Sequence, residues 1–367
     1  MTHTAEFKIL SHQMTLLLEV GQAINSVLDL DKLLELIAVK ATSLLEAERC
    51  TIFVVDRDEQ VLWTQTAVGE ARFEIPLSTG IAGAVADTGS IINVKNAYDD
   101  PRFNQDVDRR TGFLTSSLLA GPMYNQGGEI IGVCQLLNSR NGCFVHTDEK
   151  LLAALSGFVG NALEKAQLYE QLKSTFLSVL EVLAATVDAK HPYTAGHTDR
   201  VSEYSCGIAR MMGLPDDDVE QLKVAAYLHD YGKIGIRDAV LTKPDRLTNE
   251  EYTEMKSHVV KTQEILSRMR FSKQHRLVPA IAGAHHERWD GKGYPNGLSG
   301  EDIPLGARIM AIGDVFDALT SDRDYRTAMP YADALELLRA DVGSSFDPRV
   351  FPYFEAYYQK RFVDGGK

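Results

Sequence analysis

A proline-free stretch from about Leu151 to Asp188 limits the folds open to this chain more than any other feature. Leu155, Val159, Ala162, Ala166, Tyr169, Leu172, Phe176, Leu180, Leu183 and Val187 recur in it at steps of three and four, the spacing of one face of an α-helix. One long helix is therefore expected over 151–190, with different sequence patterns on its two sides. The spacing fits a seam between two chains as well as a helix laid on its own domain. Its place between two domains favours the seam, so a parallel homodimer joined through this helix is expected. With 367 residues, the chain has room for a domain of ordinary size on each side.

On the N-terminal side, two helical patterns fill 15–45: Leu17, Val20, Ile24 and Val27, then Leu33, Leu36, Ile37 and Leu44. Asp29-Leu30-Asp31 between them supplies capping residues. Short runs rich in β-formers follow at Cys50–Val55, Val61–Ala67, Ile91–Val94, Ser117–Met123 and Ile130–Leu137. Turn residues separate them at Asp56-Arg57-Asp58 and Asn125-Gln126-Gly127-Gly128. The fold class is α+β, an antiparallel sheet flanked by helices. The order of these runs, with Gly80-Ile81-Ala82-Gly83 opening a short helix, Asn93-Val94, and Asp99-Asp100-Pro101-Arg102-Phe103, resembles a GAF domain over 15–165. Asn138, Phe144, Asp148 and Glu149 further resemble the pattern of GAF domains that bind cyclic nucleotides, although Ser139 stands where that pattern has lysine. The resemblance implies a small cyclic-nucleotide ligand. The same residues also read as a helix N-terminus capped by Thr147 and Asp148, which the local sequence favours.

On the C-terminal side, the run Val219 to Leu228 is apolar at helical spacing and ends in His229-Asp230-Tyr231-Gly232-Lys233. One histidine at a helix end is commonly a satisfied core residue. Here, however, five of the ten histidines, His197, His229, His258, His285 and His286, lie on or beside apolar helical patterns, joined by Asp230 and Asp314. A core holding so many imidazoles and carboxylates is costly unless a cation draws them together. Seven such donors exceed one site and suit two divalent metals sharing a carboxylate. The four cysteines, Cys50, Cys134, Cys143 and Cys206, form no Cys-x-x-Cys pair. That disfavours structural zinc and points to iron first and manganese next.

His191-Pro192-Tyr193-Thr194-Ala195-Gly196-His197, His229-Asp230-Tyr231-Gly232-Lys233, His258, His285-His286-Glu287, Gly291-Lys292-Gly293-Tyr294-Pro295 and Asp314-Val315-Phe316-Asp317 together resemble the HD-GYP phosphodiesterases of the HD superfamily. The resemblance spans 170–365 and implies an all-α domain that hydrolyses cyclic di-GMP to 5'-pGpG, and on to GMP. It assigns His197, His229, Asp230 and Asp314 to one metal and Asp230, His258, His285 and His286 to the second, with Asp230 bridging and a hydroxide between the metals as nucleophile. Some members hold a third metal through a glutamate at the position of Tyr193, so two metals are expected here. Tyr231 departs from the aliphatic residue usual at its place. Lys233 would neutralise the substrate phosphate, Tyr294 would contact guanine or phosphate, and Arg323 and Arg326 would reach the second phosphate.

A formal charge of −13 excludes broad binding to nucleic-acid polymers, which requires a basic surface. An anionic substrate then needs a local cluster of cations. Neither a signal-peptide pattern at Met1–Lys8 nor an apolar run of membrane-spanning length occurs, and a cytoplasmic signalling enzyme is expected. Other expectations compatible with the same residues are a receptor that binds cyclic di-GMP without turnover and an HD phosphohydrolase for another cyclic dinucleotide.

Overall fold

The structure is a computed structural model that describes residues 15–64, 73–190, 196–322 and 327–364. The chain divides into two compact units, Met1–Ser174 and Thr175–Lys367.

The first unit opens with helix α1 (15–25) and α2 (Leu30–Leu44), whose N-cap Asp29 accepts a hydrogen bond from the Lys32 backbone N–H. Six strands follow: β1 (Ala47–Asp56), β2 (Val61–Thr64), β3 (Phe73–Pro76), β4 (Ile92–Val94), β5 (Leu118–Tyr124) and β6 (Ile130–Ser139). Between them lie α3 (Gly80–Thr88) and α4 (Gln105–Thr111). The sheet order is β3-β2-β1-β6-β5-β4, antiparallel throughout. Alternation along the central strands produces three layers. Ile52 and Val54 of β1, with Cys134 and Leu136 of β6, face a core that includes Leu33, Ile37, Leu152 and Val159. Phe53 and Val133 face the opposite core, with Ile81 and Val85 of α3. The antiparallel sheet flanked by helices agrees with the expected fold class. Strand β3 was not expected, because Phe-Glu-Ile-Pro is short and half exposed. The part of the expected second strand beyond Thr64 lies outside the described residues.

Helix α5 (His146–Asp188) is continuous, but its apolar stripe does not form one seam. Leu155, Val159, Ala162 and Ala166 are buried in the core of the first unit, whereas Leu180 and Val187 are buried in the second unit, where Phe176 and Leu183 also pack. The large apolar residues left exposed are Leu168, Tyr169, Leu172, Val179 and Val182. Only Tyr169 and Leu172 of the expected stripe are among them. The reason is physical: a sheet and a helical core each present apolar surface to α5 and cover the spacing that a second chain would otherwise use.

The second unit is helical: α6 (His197–Met211), α7 (Asp216–Leu228), α8 (Asp238–Leu241), α9 (Asn249–Leu266), α10 (Val278–Ala282), α11 (Leu305–Thr320), α12 (Tyr331–Ala340) and α13 (Phe351–Tyr358). Its core joins Val201 and Ile208 of α6, Val224 and Ala225 of α7, Ile309, Ile312 and Phe316 of α11, and Phe354 of α13. Among the described residues, no helix is long and apolar enough to cross a membrane.

Candidate metal centre

Five segments deliver the donors. His197 is the first residue of α6, His229 and Asp230 follow the last turn of α7, His258 lies within α9, His285 and His286 follow α10, and Asp314 lies within α11. Two sets of three each bring one donor atom per residue within 4.8 Å of the others: His197, His229 and Asp314, and His258, His285 and His286. A third set, His229, Asp230 and His285, joins them through Asp230.

The two oxygens of Asp230 face different sets. Oδ2 lies 3.3 Å from His229 Nε2 and 3.7 Å from His197 Nε2. Oδ1 lies 3.2 Å from His258 Nε2 and 4.0 Å from His285 Nε2. Asp314 completes the geometry, with Oδ1 3.4 Å from His197 Nε2 and Oδ2 4.0 Å from His286 Nδ1.

Local folding aims these atoms inward. The Nδ1 atoms of His229, His258 and His285 lie 2.7, 2.6 and 2.7 Å from the carbonyl oxygens of Ala226, Met255 and Ala282, each three residues earlier. With the proton on Nδ1, each ring donates there and keeps the Nε2 lone pair for a ligand. Nε2 of all three, together with Asp230 Oδ1, is buried without a hydrogen-bond partner. Four orphaned acceptors in one place are costly alone, and a divalent cation would satisfy them, so the donor set fits metal.

Charge is unevenly distributed across the cluster. Burial works against ionisation of Asp230, yet Lys233 and His229 hold its carboxyl well below the usual carboxylate range. Burial also opposes charge on His197, but the Asp230 and Asp317 carboxylates raise it to about 9. Burial lowers His285 well below the usual imidazole range and brings His286 to about 4, so these two offer neutral rings at neutral pH, the form that ligates metal.

Four supporting residues, Asp317, Arg200, Thr262 and Glu287, carried no role in the sequence reading. Asp317, one helical turn beyond Asp314 on α11, places Oδ2 2.7 Å from His197 Nδ1 and also accepts from Arg200 Nε and Nη2. Two i, i+3 pairs, His197/Arg200 on α6 and Asp314/Asp317 on α11, therefore interlock, and Asp317 orients His197. Thr262 Oγ1 accepts from Gly232 N at 2.8 Å and donates to His229 O at 3.0 Å, tying the turn after Asp230 to α9. Glu287 accepts from the backbone N–H groups of Asn296 and Leu298 at 2.7 and 3.0 Å and fixes the glycine-rich loop beside His286. Aspartates and arginines separated in sequence by well over a helix length give no local signal. The i, i+3 repetition within α11 was the one available cue.

In that loop Gly293 is required by space, since a Cβ there would lie 2.4 Å from Arg288 N and 2.6 Å from His286 O. Tyr294, followed by a cis bond to Pro295, packs its ring on His286 with centroids 4.8 Å apart. Lys233 is bonded to Asp230 Oδ2, so its charge lies at the edge of the donor cluster. Tyr231 is half-buried at the start of the 3₁₀ turn Tyr231–Gly235. Arg323, Arg326 and Tyr193 lie outside the described residues.

The four residues of the nucleotide-binding pattern in the first unit are engaged internally. Asn138 is buried; its Oδ1 accepts from Ser116, and its Nδ2 donates to Glu48 and the Leu114 carbonyl. Phe144 is core. Asp148 accepts from the Val145 N–H at the start of α5, an N-terminal capping contact. Glu149 accepts from Asn93 Nδ2 at 2.8 Å and lies 2.9 Å from His146 Nδ1.

Comparison with known proteins agrees with this division. A GAF domain model matches residues 29–163 and an HD domain model matches residues 181–350. The chain thus carries an N-terminal GAF domain and a C-terminal HD domain. Over 190 residues it is 40% identical to the 3'3'-cGAMP-specific phosphodiesterase 3 of Vibrio cholerae serotype O1, covering 52% of this chain and 41% of that protein. Over 173 residues it is 44% identical to the cyclic di-GMP phosphodiesterase response regulator RpfG of Xanthomonas campestris pv. campestris, covering 46% and 45%. Over 188 residues it is 39% identical to a cyclic di-GMP phosphodiesterase of Thermotoga maritima, covering 51% of each. The chain spans about half the length, or less, of these curated relatives.

Proposed function

We propose, from the premise that the second unit is an HD domain, that this chain is a metal-dependent phosphodiesterase that opens a cyclic dinucleotide, with cyclic di-GMP the first candidate and 5'-pGpG the first product. The observation that supports this most is the pair of donor sets meeting on opposite oxygens of Asp230, with orphaned buried acceptors on both sides. His197, His229, Asp230 and Asp314 would hold one divalent ion, and Asp230, His258, His285 and His286 the other, iron first and manganese next. Bound metals supply an acidified water and Lewis-acid stabilisation of charge developing at phosphorus.

The protein's own groups do the rest. Asp230 stays ionised with the Lys233 ammonium bonded to it, and Asp317 keeps His197 oriented. Lys233, already at the edge of the cluster, neutralises a phosphate oxygen as the 3' oxygen departs. Tyr294 borders the site beside His286 and takes a guanine or phosphate. Arg323 and Arg326, which lie outside the described residues, are proposed from the family resemblance as contacts of the second phosphate. The GAF domain regulates turnover. The exposed line of Leu168, Leu172, Val179 and Val182 on α5 would meet a second copy of the chain, a contact that light scattering reporting a monomer at micromolar concentration would rule out.

A second substrate follows from relatives named for 3'3'-cGAMP. Purified protein with iron(II) or manganese(II) is expected to convert cyclic di-GMP to pGpG, then GMP, as read by chromatography, with 3'3'-cGAMP run in parallel. Faster turnover of 3'3'-cGAMP would reassign the substrate. Binding without any product would replace the enzyme by a receptor.

A further inference from the structure

Beyond the residues assigned above, Lys256 stands beside the centre with no ion-pair partner among the described residues. Lys256 lies on α9, two residues before His258, and is half-buried. Its Nζ lies 4.8 Å from the ring centre of Tyr252, one turn earlier, and 5.6 Å from that of Tyr294, the ring that packs on His286. Of the carboxylates in the first half of α9, Glu251 pairs with Lys243 and Glu254 pairs with Arg237. An ammonium lying over two aromatic faces, rather than against a carboxylate, leaves its N–H donors open to an incoming anion. On an acidic chain, such a cation one ring away from the metal ligands is well placed to draw in phosphate.

We infer that Lys256, cradled by Tyr252 and Tyr294, is a substrate-binding residue that takes the phosphodiester of the cyclic dinucleotide that is not being cut. The inference rests on the phosphodiesterase reading. Its chemistry is distinct from that of Lys233: Lys233 touches Asp230 and serves the scissile phosphate, whereas Lys256 lies over the rings of Tyr252 and Tyr294. The two tyrosines add faces on which a purine can lie, and Tyr252 is 51% exposed.

The test compares full-length wild type with Lys256→Ala and Lys256→Arg on two substrates: cyclic di-GMP, which has two phosphodiesters, and bis(p-nitrophenyl) phosphate, which has one. Lys256→Ala is expected to raise KM for cyclic di-GMP by about 10- to 100-fold, with kcat changed by less than about threefold, and Lys256→Arg to recover most of the loss. On the single-phosphate ester the loss should be under about threefold. An unchanged KM for cyclic di-GMP would overturn the inference. So would an equal loss on both substrates with reduced metal content, because Lys256 would then merely brace Tyr294 and His286. A wild type that cuts neither compound fails the phosphodiesterase reading. In that case, calorimetry of cyclic di-GMP binding decides on Lys256: a similar loss of affinity in Lys256→Ala supports the inference, and equal affinity overturns it.

Discussion

Asp230→Ala is expected to abolish turnover and empty both metal positions, whereas Asp317→Asn is expected only to weaken one of them. Asp230 faces two histidines of each side of the cluster, with Oδ2 toward His197 and His229 and Oδ1 toward His258 and His285, whereas Asp314 comes within 4.0 Å of His197 and His286 alone. Its removal leaves Lys233 without its carboxylate and takes from the cluster the carboxylate that lies within 4.0 Å of four of its five imidazoles. A fall in kcat of about 1000-fold or more follows if metal chemistry is lost. Asp317 touches one histidine and no second set, and loss of such an orienting partner costs about 10- to 100-fold in metal affinity. Metal content per chain by inductively coupled plasma spectrometry separates the two: near zero in Asp230→Ala, and partial, restored by added metal, in Asp317→Asn. Two metals retained in Asp230→Ala would refute the bridging assignment.

Gly232→Ala is expected to destabilise the second unit more than any other single methyl group added near the centre. A Cβ at Gly232 would lie 2.0 Å from the His258 carbonyl oxygen and 2.5 Å from Thr262 N. Both are backbone atoms of α9, so no side-chain rotation relieves the overlap. The 3₁₀ turn would have to lift off α9, parting Asp230 from His258 and breaking the Gly232–Thr262–His229 hydrogen bonds. A cost of roughly 3 kcal/mol or more is reasonable for forced overpacking of this kind. Calorimetry should show the melting point lowered by roughly 10 °C. An unchanged melting point would mean that the turn and α9 do not approach as closely as described.

The donors were legible in the sequence because each sits on or beside a helix whose apolar spacing announces burial, and a buried imidazole beside a buried carboxylate demands compensation. His229-Asp230 gained meaning only from residues as distant as His197 and Asp314. The supports were not legible. Asp317, Arg200, Thr262 and Glu287 are ordinary polar residues until docking of α6 on α11, of the turn on α9, and of the loop on its own stem gives them partners. Lys256 looks like any lysine of an amphipathic helix. For α5 the periodicity correctly implied a helix, but periodicity says that a face is covered, not what covers it. Two intramolecular cores claimed most of that face. The nucleotide-like pattern of the first unit shows the same ambiguity: Asn138, Asp148 and Glu149 fit a ligand motif and also fit the loop and helix-start contacts they make.

The spread of the donors has a consequence for how this unit folds. Neither set of three is local in sequence: one joins His197 to Asp314 and the other joins α9 to the turn after α10. No nascent helix or hairpin can hold such a site, and the chain must close long loops before it exists. Until α6, α7, α9 and α11 have docked, the donors are apart and no site exists to take a metal, so an ion bound there would be captured late. A metal bound to that site would then hold the finished topology, slowing its opening without hastening its formation.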